Sequence, residues 1–595
     1  MNFYFYICSH VKYILCLTYM DFCIIHVPMY IETVPNRGSK PAILLREGKR
    51  QGKRVTKRTL ANLTHWPEEK IEALRCVLRG DSLNQQGFTI ERSLPHGHVQ
   101  IVLGMIRKLE VDSLLASKPC RERNLVVAMI AQRLLNPCSK LATTRLWHTT
   151  TLASELGVAD ADENELYAAM SWLVSRQKRI ENKLAKRHLS AGARVLFDIS
   201  SSSYHGRSCP LAAYGYNRDG DKLPSIVYGL LTNSDGTPIA VDVYPGNTTD
   251  SKAVPDQVEK LRKRFKLERV VLVGDRGMLT QVQIRALSSY NNLGWISALR
   301  SSSIRKLIKQ EAVQPDLLVQ ENIAEITSND YPGERLIVCY NSLLAEDRRR
   351  TREELIQATE QALQKIAAEV KRRTKTPLSA DEIGVKAGKV LNRYKMSKHF
   401  IFEISNNNFT FKRDTEKIKQ EQQLDGIYIV RTNEKARSLS TDNAVRAYKS
   451  LAQVEQAFRC LKSVDIRIRP IHHRTEDHVR AHIFICVLAY YIEWYMRRAL
   501  APVLYEDEAL AENRWTRHPV DKAKSSDAAV VKKQTKTTAD GWHIHSFNTL
   551  LAEMSTLCQN TCRPSHVETD IRFNQFTEPT PYQMHIFNLL GLKKP

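Results

Sequence analysis

The sequence predicts an α/β protein whose core is a mixed sheet with helices packed on it, interrupted by an α+β insertion and preceded by a small β region and a helical region. Three observations carry this. Residues 191–299 hold five short β-rich runs, ARVLFDIS, SIVYGLLT, IAVDVYPG, RVVLVGD and GWISALR. Three of them precede the first helical stretch (about 251–265) and the rest alternate with helix (about 279–290), the pattern of a mixed sheet. Residues 98–190 change period: VQIVLGMIRKL, LVVAMIAQRLL and ELYAAMSWLVSR repeat apolar side chains at the spacing of one helix face. Finally, 595 residues with 43% hydrophobic and 26% charged side chains suffice for several full-sized cores.

Taken in order, residues 1–28 differ in character from the rest of the chain. The apolar run Tyr13 to Val27 contains Asp21 and His26 and is too short and too polar for a membrane span. It also lacks a small-residue cleavage site, so the expectation is a non-native leader with Met29 as the true start. Residues 29–63 alternate apolar and polar side chains around turn signals, predicting a small sheet within a β-rich N-terminal region, 29–97. Its basic rim is Lys49, Arg50, Lys53, Arg54, Lys57 and Arg58. A solvated charged face is the plain alternative for that rim. The helical region 98–190 is expected to bind DNA or to dimerise, or to be simply a bundle. After the sheet segment 191–299, residues 300–440 combine a strand (RLIVCYN), a long charged helix (about 345–373) and further strands (HFIFEISNNNFTFKR, DGIYIVRTN). They read as an inserted α+β subdomain. Helices at 442–463 and 477–500 complete the core (441–503), and 504–595 form a C-terminal region.

Charge and cysteine narrow the function classes. Eighty-eight Lys and Arg against 64 Asp and Glu give a net charge of +24, which favours a polyanionic partner through counterion release. Twelve cysteines without regular spacing point to a reducing compartment rather than a disulfide scaffold. Cys558, Cys562 and His566, with His543 and His545 upstream, fit no common zinc spacing.

Chemistry concentrates in three carboxylates. Asp198 ends RVLFDIS and Asp275 ends VVLVGD; an ionised carboxylate on a buried strand is costly unless a cation or full hydrogen bonding accompanies it. Neighbouring strand-end carboxylates suit hard divalent cations, although most strand-end aspartates are turn acids or helix caps. Ser200 to Ser203 read as a turn leaving the site open. In YKSLAQVEQAFRCLK, Tyr448, Glu455 and Lys462 recur at intervals of seven, placing all three near one helical stripe. Leu451 and Phe458 lie close to that stripe.

These residues resemble the transposases of bacterial insertion sequences in the IS-four superfamily, in its sixteen-thirty-four branch. That family carries Y-x2-R-x3-E-x6-K on the helix of its third acid; Tyr448, Glu455 and Lys462 match, and Leu451 replaces the usual Arg. AYGYNRDGDKLPSIVYGLLTNSDGTPIAVDVYPGNTTDS and the closing PTPYQMHIFNLLGL extend the likeness over most of 29–593. The resemblance implies a ribonuclease-H-like catalytic core and cut-and-paste DNA transposition by strand cleavage and strand transfer. It implies Asp198, Asp275 and Glu455 as catalytic ligands of two Mg2+ ions, with Mn2+ able to substitute. The implied partners are the inverted-repeat ends of its own element and target DNA, held by a homodimer at the bacterial nucleoid, in the cytoplasm and away from membranes. Tyr448 and Lys462 are expected at DNA phosphates. Arg218 and Lys222, in NRDGDK, are expected there too, with solvated loop charges as the alternative. Arg467, Arg469, Arg474 and Arg480 are dense enough after the catalytic helix to read as a backbone grip. Trp295, inside an apolar strand, reads as core rather than as a stacking platform. Two other readings stay open: a metal-dependent nuclease of the same fold, and a catalytically inactive DNA-binding relative.

Overall fold

The computed structural model describes residues 29–36, 38–51, 54–79, 87–288, 290, 292–313, 322–463, 465–564 and 571–594. The proposed leader and His566 lie outside them. The chain divides into two compact units, residues 1–93 with 560–575, and residues 94–559 with 576–595. In the first unit β1 (Met29–Asn36), β2 (Ser39–Gln51) and β3 (Arg54–Asn62) form an antiparallel sheet in that order, and the helix Glu68–Leu78 comes after it. Strand β4 (Phe88–Pro95) is next.

The second unit is built on one eight-stranded sheet. Its strands are β5 (Ala193–Ser203), β6 (Ser225–Asn233), β7 (Pro238–Pro245), β8 (Val270–Val273), β9 (Leu293–Ala298), β10 (Ile323–Ile326), β11 (Arg335–Tyr340) and β14 (Ile427–Thr432). The order across the sheet is β10-β11-β14-β9-β8-β5-β6-β7. Only β5–β8 and β8–β9 pair in parallel; the remaining described pairs are antiparallel. Strand β6 is an unbroken buried run from Ser225 to Thr232, as expected of a strand covered on both faces. One cover is the helix Glu476–Ala499, which packs on the helices Arg121–Leu135 and Glu163–His188 and on β7. It is buried almost all round, from Val479 to Glu493. The helix Glu163–His188 begins at a capping box in which Asp162 and Glu165 satisfy each other's end of the turn. Among the described residues no helix is long and apolar enough to cross a membrane.

Three features differ from the sequence expectations. Strands β10, β11 and β14 belong to the main sheet, so only the segment between β11 and β14 stands apart. That segment comprises the helices Ser342–Arg372 and Ala380–Tyr394 and the hairpin of β12 (Phe400–Ser405) and β13 (Asn408–Arg413), around a core including Ile356, Leu363, Phe400 and Phe409. Second, Ser200 to Ser203 are the buried second half of β5 rather than a turn. Their hydroxyls find partners inside the protein: Ser202 bonds the Tyr228 hydroxyl (2.9 Å), and Ser201 accepts the Arg218 amide (2.9 Å). Third, the helix over 442–463 is two helices, Thr441–Lys449 and Ala452–Lys462, joined by a tightened turn in which the amides of Ser450 and Leu451 reach back three residues. The last strands, β15 (Cys558–Pro564) and β16 (Phe573–Phe576), make a further sheet with β4 in the order β16-β15-β4.

Candidate metal-dependent active site

Strand lengths create the site. β5 and β8 run parallel and their pairing ends at Leu196↔Val273. Asp198 and Asp275 each come two residues later, so the two acids stand at one level where β8 has stopped and β5 continues alone. β5 stays paired with β6 on its other side, Asp198 opposite Leu230. This holds the Asp198 backbone fixed while its flank toward Asp275 is open. Asp275 opens a turn in which its carbonyl accepts the amides of Met278 and Leu279.

The electrostatics agree with that juxtaposition. Burial pushes the Asp198 carboxyl up to about 7, and the negative charges of Asp275 and Asp250 add to the rise. The Ile199 amide (2.8 Å to Oδ1) and the Arg218 guanidinium oppose it. Asp250, which no local pattern in the sequence singles out, thus belongs to the same acidic group. A β-carbon at Gly277 would lie 3.6 Å from Asp250 Oδ2 and 3.7 Å from Asp275 Oδ2, so both oxygens border one small space. Arg218 donates to Asp250 Oδ1 at 2.7 Å. Only the strand order, which brings residue 250 beside residue 275, reveals it.

The charge of Glu455 is felt at Tyr448, which in turn meets Asp275. The Tyr448 hydroxyl donates to Asp275 Oδ1 (3.4 Å), and burial with the charges of Asp275 and Glu455 holds that phenol well above its ordinary range. Glu455 is exposed in the first turn of its helix. The oxygens of Asp198, Asp275 and Glu455 do not all come within 4.8 Å of one another. Leu451, at the family's Arg position, is 8% exposed and packs in the core.

Lys462 leaves the stripe for a different task. Its ammonium donates to the Ser201 carbonyl (2.5 Å) and to Asp219 Oδ1 (3.1 Å), and Arg469 pairs with the same oxygen (2.7 Å). Burial pushes the Asp219 carboxyl up, but the Ser203 amide, Lys462 and Arg469 outweigh it and hold the group below its usual range. Burial lowers Lys462 in turn, against the pull of Asp219. Arg480 donates to the Val243 carbonyl (2.8 Å), a structural bond. Arg467, Arg474 and Lys222 are exposed. Trp295 is 1% exposed, with its carbonyl bonded by Thr432, and is a core residue. Tyr214 and Tyr216 are 75% and 81% exposed, and the Arg218 guanidinium sits 5.7 Å from the Tyr216 ring.

Among the described residues, one group brings three metal-capable atoms within 4.8 Å: Cys460, Asp465 and Glu493. A cation already sits there. Arg497 donates to Glu493 (2.6 Å), Asp465 (3.1 Å) and Glu506 (3.0 Å). Cys558 and Cys562 are free thiols on β15.

A mixed sheet that brings Asp198 and Asp275 level at the ends of adjacent parallel strands, with Asp250 beside them, defines an α/β core with a cluster of carboxylates at one sheet end. The family model described as a transposase DDE domain matches residues 194–492, half of the chain. The protein belongs to that family of DDE transposases. No curated protein matches the sequence.

Proposed function

We propose that this protein is the transposase of a bacterial insertion sequence, of the IS-four superfamily and its sixteen-thirty-four branch. In this reading it has a ribonuclease-H-like core and cuts and rejoins DNA at the inverted-repeat ends of its own element. The observation that carries the proposal is the level pairing of Asp198 and Asp275 beyond the last bonded residues of β5 and β8.

The donor set fits a hard divalent cation. It consists of carboxylate oxygens, and burial raises the pKa of Asp198, a cost to its charged form that a nearby positive charge would relieve. Asp198, Asp275 and Glu455 would hold two Mg2+ ions, or Mn2+, which when bound activate a water or 3′-hydroxyl and stabilise the departing oxygen. Tyr448 fixes the Asp275 carboxylate through its hydroxyl. Arg218, anchored on Asp250, offers positive charge at the edge of the site where phosphoryl oxygens gain charge, the electrostatic term that dominates such transfers. Lys462 and Arg469 share Asp219, so a phosphate that recruits either competes with that carboxylate. Lys222 and Arg467 are exposed and meet the backbone of the DNA at the surface. Two copies, each holding one end, act together on target DNA in the cytoplasm at the nucleoid.

The test is cleavage of a labelled duplex made from the DNA flanking the protein's own reading frame, in Mg2+ or EDTA, for the native protein and Asp198→Ala. Metal-dependent nicking at the element boundary that vanishes in the variant is expected, with joining to a target plasmid as the second readout. Nicking without joining would make the protein a nuclease. Binding without cutting in any metal would make it a catalytically inactive relative and overturn the proposal.

A further inference from the structure

The three-stranded sheet of the N-terminal unit has an asymmetric outline. β1 pairs with β2 as far as Met29↔Glu47. β2 and β3 continue together, Gly48↔Lys57, Lys49↔Thr56, Arg50↔Val55 and Gln51↔Arg54. Four residues on each strand therefore extend beyond the last described residue of β1 as a two-stranded ribbon. At about 3.3 Å per residue it is roughly 13 Å long.

Its composition is unusual for such an element. Residues 46–58 contain seven basic residues (Arg46, Lys49, Arg50, Lys53, Arg54, Lys57, Arg58) and one acid, Glu47. Glu32 compensates two of them, Arg46 (2.8 Å) and Lys57 (3.0 Å). Lys49 and Arg58 are exposed, and neither has a carboxylate within ion-pair distance among the described residues. The register puts Lys49 and Arg58 on one face and Lys57 on the other. Basic positions on both faces leave no apolar side for a membrane or a hydrophobic partner. β2 is flanked by strands on both sides through Glu47 and carries Arg46 there; past Glu47 its one described neighbour is β3, and both strands of the ribbon carry basic residues. The charge belongs to the ribbon as a unit.

We infer that the β2–β3 ribbon grips duplex DNA by entering its major groove, outside the cleavage site. A two-stranded ribbon matches a groove about 12 Å wide, and flanking strands with basic residues on both faces meet phosphates and base edges at once. The inference rests on the proposed action at DNA ends and adds the element that holds them.

The experiment uses the full chain and the flanking-DNA duplex, comparing the native protein with the quadruple variant Lys49→Gln/Arg50→Gln/Arg54→Gln/Arg58→Gln. Arg46 and Lys57, which pair with Glu32, are kept. Each lost phosphate contact lowers the slope of log affinity against log salt by about 0.9, so the slope should fall by roughly 3 to 4. Protection of guanine N7 from methylation, present with the native protein, should disappear. The charge-conserving variant Lys49→Arg/Arg50→Lys/Arg54→Lys/Arg58→Lys should keep the native slope, which separates lost contacts from misfolding. Metal-dependent nicking of a supercoiled plasmid without the element's ends should match the native protein. An unchanged slope, or a lowered slope with N7 protection intact, would overturn the groove assignment, as would tighter binding to duplex RNA, whose narrow major groove excludes a ribbon. Failure of the transposase reading is a different result: the native protein nicks nothing in any metal.

Discussion

Replacing Asp198 by Asn should make the metal-free protein more stable, and by an amount that depends on pH. The native fold raises this carboxyl from 3.8 to about 7, chiefly by burial. A tenfold change in acidity is worth about 1.4 kcal/mol, so a rise of about three decades amounts to ~4 kcal/mol. One edge of Asp198 is still accessible, and water there screens the charge, so this is an upper figure. The sign comes from proton binding. Between about pH 4 and 7 the native state holds a proton that the unfolded chain has released, so stability falls as pH rises and the loss is complete above 7. Asn keeps the oxygen that accepts the Ile199 amide but carries no charge. The two proteins should therefore melt alike near pH 4 and diverge progressively to pH 8, where Asn is ahead by up to about 4 °C for a unit of this size. Calorimetric scans in EDTA at pH 4.5, 6 and 8 measure this. Adding Mg2+ at pH 8 should raise native melting and leave the variant unmoved. A gap that is the same at every pH, or an Asn variant that melts lower at pH 8, would refute the account of Asp198 as a carboxylate held in readiness for a cation.

Glu455→Ala should abolish strand cleavage while changing end binding, read by gel shift, less than twofold; the side chain is exposed and holds no part of the fold. Asp219→Ala removes the shared partner of Lys462 and Arg469 from a site where the carboxylate is 5% exposed, and should cost about 3–5 kcal/mol in urea unfolding. Trp295→Ala should cost a similar ~3–5 kcal/mol as a core cavity, and Trp295→Phe should retain near-native cleavage, whereas a base-stacking role would show as lost cleavage without lost stability. Because Arg497 already occupies the Cys460–Asp465–Glu493 group, prolonged chelation should leave the melting temperature of Asp198→Asn unchanged.

Much of the core was legible because its strands are buried on both faces and so read as unbroken apolar runs; β5 to β9 all coincide with runs visible in the sequence. Trp295 was assignable to the core for the same reason. The serine stretch was not, because four consecutive small polar residues read as a turn until partners such as Tyr228 and Asp221 are brought to them. The spacing of seven linking Tyr448, Glu455 and Lys462 is real, but the tightened turn at Ser450 and Leu451 divides it. Tyr448 faces Asp275 and Lys462 faces Asp219, so one stripe serves two carboxylates.

The sequence by itself determined the strand runs of β5 to β9, the helical period of residues 98–190 and the basic composition of residues 46–58, and it singled out three acids as candidates, since periodicity, buried charge and local composition are properties of the chain at short range. The tertiary structure alone decided which strands share a sheet, and so which distant acids meet. It drew β10, β11 and β14 into the main sheet, set Asp250 beside Asp275, and gave Lys462 and Arg469 a common partner. Pairing between strands far apart in sequence is fixed by the collective burial of their faces, and no window of local residues encodes it.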